Sequence, residues 1–380
     1  MSTLLLDRIV PQHIRNFEPY YPSKPDAVLM SLFGVKRLHR LNNNENALGP
    51  PPSVYPVIDG FVPGMVPVYP NGDCFDLRER LAAKFDKTRD QFLVGNGSCE
   101  VISSVIKAFC VKGDNIITAD KTFAVYEWVA EFSGVQAKLI PLKDFGFDPE
   151  AMLDAVDDRT KIIFVCNPNN PTGTYWDKDT MTAFLEAVDQ RCIVVIDEAY
   201  CEYVDNPDYP DAMQLMETFP NVVTFRTFSK MYALAALRIG YLCSSPEVVD
   251  MVRRTHIVYS VNTPAQQAAA AAITDDTEFI LATRKMVKDA RRMLCPFFDD
   301  MGIPYLSNQG NYMMARVPLS DTLLYRMLMK HGVMVRTMTG FRFPNWIRIS
   351  LVQEPVMKDF TNAFREVMSG FPRQRNKKSV

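Results

Sequence analysis

Short apolar runs and amphipathic stretches alternate through the first three quarters of the chain. Lys161–Cys166 is a β-branched apolar run, Lys178–Gln190 spaces Met181, Phe184, Leu185 and Val188 at helical intervals, and Cys192–Ile196 is again a buried-strand pattern. Val222–Phe225 continues the series. Upstream, Gln91–Val94 precedes a helix-like Glu100–Phe109, and Asn115–Thr118 precedes a helix-like Thr122–Phe132. Strand, helix and strand in that order predict an α/β fold whose mostly parallel central sheet has helices on both faces. Near Thr277 the texture changes to long helical patterns, Glu278–Asp299 and Leu319–Lys330, with short strand candidates at Tyr312–Val317, Val333–Arg336 and Trp346–Leu351. These predict a smaller α+β domain, against which the proline-rich stretch through Pro52 packs as an arm. The expected division is an arm over residues 1–52, a large domain over 53–276 and a small C-terminal domain over 277–380. No internal repeat or low-complexity linker interrupts it.

Composition agrees with a sizeable interior. The 380 residues are 47 % hydrophobic and 23 % charged, too long for a usual single core. A formal net charge of −2 leaves no electrostatic footprint for nucleic acid, and the one basic run, Arg373 to Lys378, reads as a solvated tail. No apolar run approaches membrane-spanning length, and the Leu4–Leu6 triplet is cut by Asp7 and Arg8 before it could serve as a signal-peptide core. A cytoplasmic location is expected. The eight cysteines, at 74, 99, 110, 166, 192, 201, 243 and 295, contain no C-x-x-C pair, and there are only four histidines, so neither a metal site nor a disulfide scaffold is expected.

Candidate chemistry gathers at the ends of the predicted strands, where open parallel sheets bind ligands. Thr227-Phe-Ser-Lys230, with Arg238 eight residues beyond the lysine, places an amine and a guanidinium where one phosphorylated aldehyde could hold both. Pyridoxal phosphate suits that arrangement: Lys230 would form the Schiff base, while Ser229 and Arg238 would hold the phosphate. Taken alone, the stretch is equally a solvated basic turn. Upstream, Asn167-Pro-Asn-Asn-Pro-Thr-Gly173 would present the Asn170 amide at the sheet edge, and the next strand ends in Asp197-Glu-Ala-Tyr200. A carboxylate there is costly to bury without a partner, and a protonated pyridine nitrogen would supply one. Asp197 would keep the ring cationic and hence an electron sink, while Asn170 and Tyr200 would bond the ring's 3-oxygen. A helix N-cap aspartate and a turn asparagine are each common singly; in combination with the lysine they favour the cofactor.

The order Asn-Pro-Thr-Gly, Asp-Glu-Ala-Tyr, Ser-Lys and then Arg resembles the fold-type I aminotransferases, which use pyridoxal phosphate. Val10-Pro11, Pro19-Tyr20, Leu41-Asn-Asn-Asn-Glu-Asn46, Tyr69-Pro-Asn-Gly72 and Ile347-Arg-Ile-Ser350 are similar to the histidinol-phosphate aminotransferase branch. The resemblance implies that residues 53–276 bind the cofactor and that Lys230 is both Schiff-base lysine and proton shuttle. It also implies that Gly97-Ser98-Cys99 cradles the phosphate, that Tyr126 stacks on the pyridine ring, and that Tyr69 reaches the neighbouring subunit's phosphate in a homodimer with shared active sites. Arg336 and Arg348 would serve the substrate phosphate and the 2-oxoglutarate carboxylate, Tyr20 would cap the phosphate, and Asn44 and Glu45 would line the pocket, with Asn262 in a neighbouring loop. The implied reaction is amino transfer between L-histidinol phosphate, or a similar amine, and 2-oxoglutarate by a ping-pong cycle through pyridoxamine phosphate. The alternative is decarboxylation or oxidation of a related amino acid on the same scaffold. A non-catalytic pyridoxal-binding module is disfavoured, since the lysine is present. The chain departs from the branch at Cys99, where many relatives carry aspartate, at Ala47, and at Leu351-Val352, departures that bear on the substrate and spare Lys230, Asp197, Asn170 and Tyr200.

Overall fold

The computed structural model describes residues 3–19, 24–274 and 276–371. Tyr20 and the basic run Arg373 to Lys378 lie outside them. The chain lays down β1 (His39–Leu41), then β2 (Phe92–Gly95), β3 (Asn115–Ala119), β4 (Gln136–Ile140), β5 (Thr160–Cys166), β6 (Ile193–Asp197), β7 (Val222–Thr227) and β8 (Gly240–Cys243). Strands β2 to β8 form one seven-stranded sheet in the order β2-β8-β7-β6-β5-β3-β4. The five strands from β7 to β4 run parallel, and β8 is antiparallel to both β7 and β2. Helices cover both faces, so the central strands read as continuous apolar runs rather than alternating ones. Ile162, Phe164, Val195, Ile196, Val223 and Phe225 are all 0 % exposed.

Two strands of this sheet, β4 and β8, have no counterpart in the sequence reading. β4 is an edge strand with no fully buried residue, so its apolar signal is weak, and β8 is only four residues long and opens on glycine. That glycine has a use. A Cβ on Gly240 would lie 2.9 Å from the Ser98 amide nitrogen, so its absence lets the helix Ser98–Phe109 start directly against the sheet. The helix expected from Thr122 starts instead at Val125, because the Thr122 hydroxyl donates to Asn169 Oδ1 at 2.8 Å.

The second sheet combines β1 with β9 (Tyr305–Leu306), β10 (Tyr312–Arg316), β11 (Val333–Thr337) and β12 (Trp346–Ser350), in the order β1-β11-β12-β10-β9. β1 joins it parallel to β11, which ties the segment before residue 52 to the C-terminal sheet. The helix Thr277–Met301 packs on Glu354–Ser369 through Phe297, Phe298, Phe360 and Phe364. All eight cysteines are free thiols. Among the described residues, no helix is long and apolar enough to cross a membrane.

Candidate active site

Parallel pairing places Cys166 beside Asp197 and Asp197 beside Phe225, so the segments following β5, β6 and β7 emerge together at one edge of the sheet. Asp197 is 2 % exposed. Its Oδ1 accepts the Ala199 amide at 3.0 Å and its Oδ2 accepts the Tyr126 hydroxyl at 2.5 Å. Burial pushes its carboxyl upward from the usual range, opposed by those two hydrogen bonds. No cation pairs with it among the described residues, so it is a buried carboxylate that lacks a positive partner. Tyr126 corrects the sequence reading. The residue is wholly buried, with its ring stacked on Phe164 at 4.7 Å and edge-on to Phe123. It orients the carboxylate from behind, and the partly exposed ring of that segment is Phe123.

Lys230 is half-buried, and its Nζ donates to the Asn43 carbonyl at 2.8 Å. Burial first, then the nearby Arg348, lowers its ammonium pKa to about 8, against the opposing pull of Glu45. Tyr200 lies beneath, with the amine 5.9 Å from its ring centroid, and burial raises its phenol to about 12. Asn44 fixes that phenol. Its Nδ2 donates to the Tyr200 hydroxyl at 3.0 Å, its amide nitrogen donates to Ser350 Oγ at 2.9 Å, and Asn311 donates to its carbonyl at 3.0 Å. Fully buried at φ +58°, Asn44 therefore joins the N-terminal segment to the loop after β6 and to β12 rather than facing an open pocket, a second correction. Glu45 is half-buried and close enough to act on the lysine.

Beside the lysine, the helix Ser98–Phe109 presents its N-terminus. Gly97 sits at φ +78°, and a Cβ there would come within 2.5 Å of Arg238 Nη2. Only glycine lets the guanidinium lie against the helix entrance. Arg238, itself at φ +57°, donates from Nη1 to Ala235 O at 2.9 Å and to Ser229 Oγ at 3.4 Å. Among the described residues no carboxylate pairs with it. Helix N–H groups, two hydroxyl side chains and an unpaired guanidinium form a cradle for a phosphate. Cys99 occupies the first turn, half-buried, its thiol pushed up by burial and drawn back by Arg238.

Across the site, Arg336 on β11 pairs directly with Arg348 on β12. Arg348 is 4 % exposed; it donates to Asn170 Oδ1, and at 2.8 Å to Asn42 O, while its buried Nε has no partner. Burial lowers its pKa, with Arg336 adding to the effect. Both guanidinium carbons lie near the Phe341 ring, 5.5 Å for Arg336 and 5.8 Å for Arg348. Neither arginine has a carboxylate partner among the described residues. Two adjacent, uncompensated guanidiniums form a receptor for a phosphate or carboxylate. Asn170 lies in a turn fixed by Tyr312, whose hydroxyl donates to Asn169 O at 2.6 Å, and by Gln309, whose amide donates to Gly173 O at 2.9 Å. Tyr312, Phe341 and Asn42 escape the sequence reading because each looks like ordinary core or loop until the two sheets meet.

Tyr69 stands apart. It is 81 % exposed, rests on Tyr259 at 5.2 Å, and shares its surface with exposed Val66, Val68, Ile257 and Val258. Asn262 caps the helix Thr263–Ala272 by accepting the Ala265 amide at 2.9 Å.

The buried carboxylate, the low-pKa amine and the phosphate cradle fit pyridoxal phosphate. The chain matches the family model for class I and II aminotransferases over residues 37–364. It is 36 % identical to the histidinol-phosphate aminotransferase of Caldicellulosiruptor saccharolyticus over 93 % of this chain and 99 % of that protein. It is 34 % identical to histidinol-phosphate aminotransferase 1 of Nitrosococcus oceani over 98 % and 100 % of the two chains. The crystal structure of histidinol-phosphate aminotransferase from Sinorhizobium meliloti in complex with pyridoxal-5'-phosphate superposes with a TM-score of 0.84, at 25 % identity, over 96 % of this chain and 98 % of that one. Thermus thermophilus aspartate aminotransferase, at 22 % identity and a TM-score of 0.82 over 95 % of this chain and 100 % of that one, shares the fold. The chain accordingly belongs to the class I and II aminotransferases and is a pyridoxal-phosphate-dependent transaminase.

Proposed function

We propose that this transaminase moves the amino group of L-histidinol phosphate to 2-oxoglutarate. The observation that carries the substrate class is the Arg336–Arg348 pair, two neighbouring guanidiniums without a carboxylate between them. Both proposed substrates are anions, and one receptor that serves each in turn is what a ping-pong cycle needs. The relatives named histidinol-phosphate aminotransferase support the donor.

In this reading the cofactor, when bound, supplies an electrophilic carbon and an electron sink. Asp197 would hold positive charge at the ring nitrogen, kept in place by Tyr126 and the Ala199 amide. Asn170 gives its carbonyl oxygen to Arg348, which leaves its amide N–H to join the Tyr200 hydroxyl at the ring oxygen. Gly97, Ser98, Cys99, Ser229 and Arg238 would hold the phosphate. Lys230, with a pKa already near 8, would carry the cofactor and then shuttle the proton at the substrate carbon, a task that needs an amine able to give and take a proton near neutrality. Glu45 would tune that amine. The exposed apolar surface around Tyr69 supports a homodimer in which this tyrosine enters the partner's site. The two sheets fit a large domain over 53–276 and a small domain of residues 277–380 with the 1–52 arm. The eight free thiols fit a cytoplasmic setting.

The decisive experiment is an absorbance titration of the cofactor-loaded protein with L-histidinol phosphate and no keto acid. We expect loss of the lysine-linked cofactor band and its return on adding 2-oxoglutarate. A spectrum that ignores L-histidinol phosphate but answers another amino donor would overturn the substrate.

A further inference from the structure

The turn between β11 and β12 carries a third arginine that the reaction as described does not use. Arg342 sits at φ +61°, a backbone conformation that glycine takes freely and a bulky residue takes only when something holds it there. What holds it is a two-pronged grip on the helix Val125–Phe132 and on the loop that follows β3. Arg342 Nη2 donates to Glu127 Oε1 at 2.6 Å, and Nη1 donates to Glu127 Oε2 at 3.0 Å and to the Asp120 carbonyl at 2.7 Å. An exposed ion pair would be worth little. This one is half-exposed at Arg342, 48 %, but it is bidentate, Glu127 retains only 15 % side-chain exposure, and a backbone carbonyl completes the geometry.

Both ends of the contact lead to the site. Glu127 follows Tyr126 in the helix Val125–Phe132, and Tyr126 holds the Asp197 carboxylate. Arg342 follows Phe341, whose ring lies near the guanidiniums of both Arg336 and Arg348, at 5.5 and 5.8 Å. The turn itself is stiff. Asp321 accepts the Met338 and Thr339 amides at 2.8 Å each and the Thr339 hydroxyl at 2.7 Å, and the Phe341 and Arg342 amides donate back to Met338 O at 2.9 Å and Thr339 O at 3.0 Å, so Phe341 and Arg342 sit on one hydrogen-bonded turn. Lys121 adds a second bridge, its amine 5.7 Å from the Phe343 ring centroid.

We propose that the Arg342–Glu127 pair is a clasp between the two sheets' elements that sets Phe341, and through it the Arg336–Arg348 receptor, at the separation from the helix Val125–Phe132, and so from Asp197, that the anionic substrate requires. Arg342 is thus a positioning residue for substrate. The proposal rests on reading Arg336 and Arg348 as the substrate's anion receptor.

The test compares Arg342→Gly, which removes the guanidinium at a backbone angle glycine accepts, with Glu127→Gln, the double variant, and Arg348→Ala as a control on the receptor. Arg342→Asn, also tolerated at positive φ, guards against a folding artefact, and melting curves accompany each protein. For Arg342→Gly we expect the KM for L-histidinol phosphate, and the calorimetric Kd for inorganic phosphate on cofactor-loaded protein, whose phosphate cradle at Arg238 is then already filled, to rise about fivefold while kcat stays within about twofold. Glu127→Gln should do the same, and the double variant should be no worse than either single one. An unchanged KM and Kd in Arg342→Gly and Arg342→Asn, or penalties that add in full, would overturn the clasp while Arg348→Ala still weakens binding. If Arg348→Ala leaves binding intact, the receptor reading fails and the clasp falls with it.

Discussion

Lys230 shows how little of a residue's chemistry is written in its type. An exposed lysine is cationic far above neutrality, whereas here burial and Arg348 bring the amine to about 8. The direction has a kinetic consequence. Below that value the cofactor-free protein presents an ammonium, which cannot attack an aldehyde; above it, a neutral amine. The rate of pyridoxal phosphate capture, followed by absorbance, should climb as pH rises from roughly 7 to 9 and then level off. Arg348→Ala removes a nearby positive charge that disfavours the ammonium, so the midpoint should move upward. A capture rate flat over that range, or a downward shift in the variant, would contradict the assignment. Tyr126 teaches a related lesson. Its sequence context suggested an aromatic face, but a phenol buried beside a carboxylate bonds it, and only the fold could bring Tyr126 to Asp197 across 71 positions of sequence.

At the level of elements, the proposed phosphate cradle is a meeting of three pieces: the N-terminus of Ser98–Phe109, the turn after β7, and Arg238, two residues before β8. Gly97 and Gly240 make the meeting possible, since a Cβ on either would strike Arg238 or the Ser98 amide. Gly97→Ala should lower pyridoxal phosphate affinity by about tenfold or more, through displacement of Arg238 and strain at φ +78°, with the melting temperature of the cofactor-free protein falling less than that of the loaded one. Equal affinity in equilibrium dialysis would show that the guanidinium is not needed there. Ser98, Ser229 and Arg238 could be singled out in the chain as candidates, because an anion site draws on few residue types, and Arg238 does lie against Ser229 and Gly97. The strand that packs them together, β8, was not, because four residues opening on glycine carry no periodicity.

For the whole molecule, the exposed tyrosine predicts sharing between subunits. Tyr69 is 81 % exposed within a band of exposed apolar side chains, an arrangement that marks an interaction surface. Lys230→Ala and Tyr69→Ala proteins should each be impaired, and mixing them under exchange conditions should restore activity, since a mixed dimer holds one site with both residues intact. No recovery in verified mixed dimers would show that each chain serves its own site.

The sequence by itself determined the alternation of strand and helix, the change of texture near Thr277, and the order of asparagine, aspartate, lysine and arginine along the chain. These are local properties: hydrophobic period, turn chemistry and the scarcity of residue types that can do a given task. The tertiary structure alone decided which side chain supports which. Asn44 became a clamp on Tyr200 rather than a pocket wall, Asn170 gave one face of its amide to Arg348, and Arg342 took hold of Glu127, because each contact joins segments more than a hundred residues apart. Such pairings depend on where the loops and helices of one sheet meet those of the other, a long-range outcome that no local window of sequence contains.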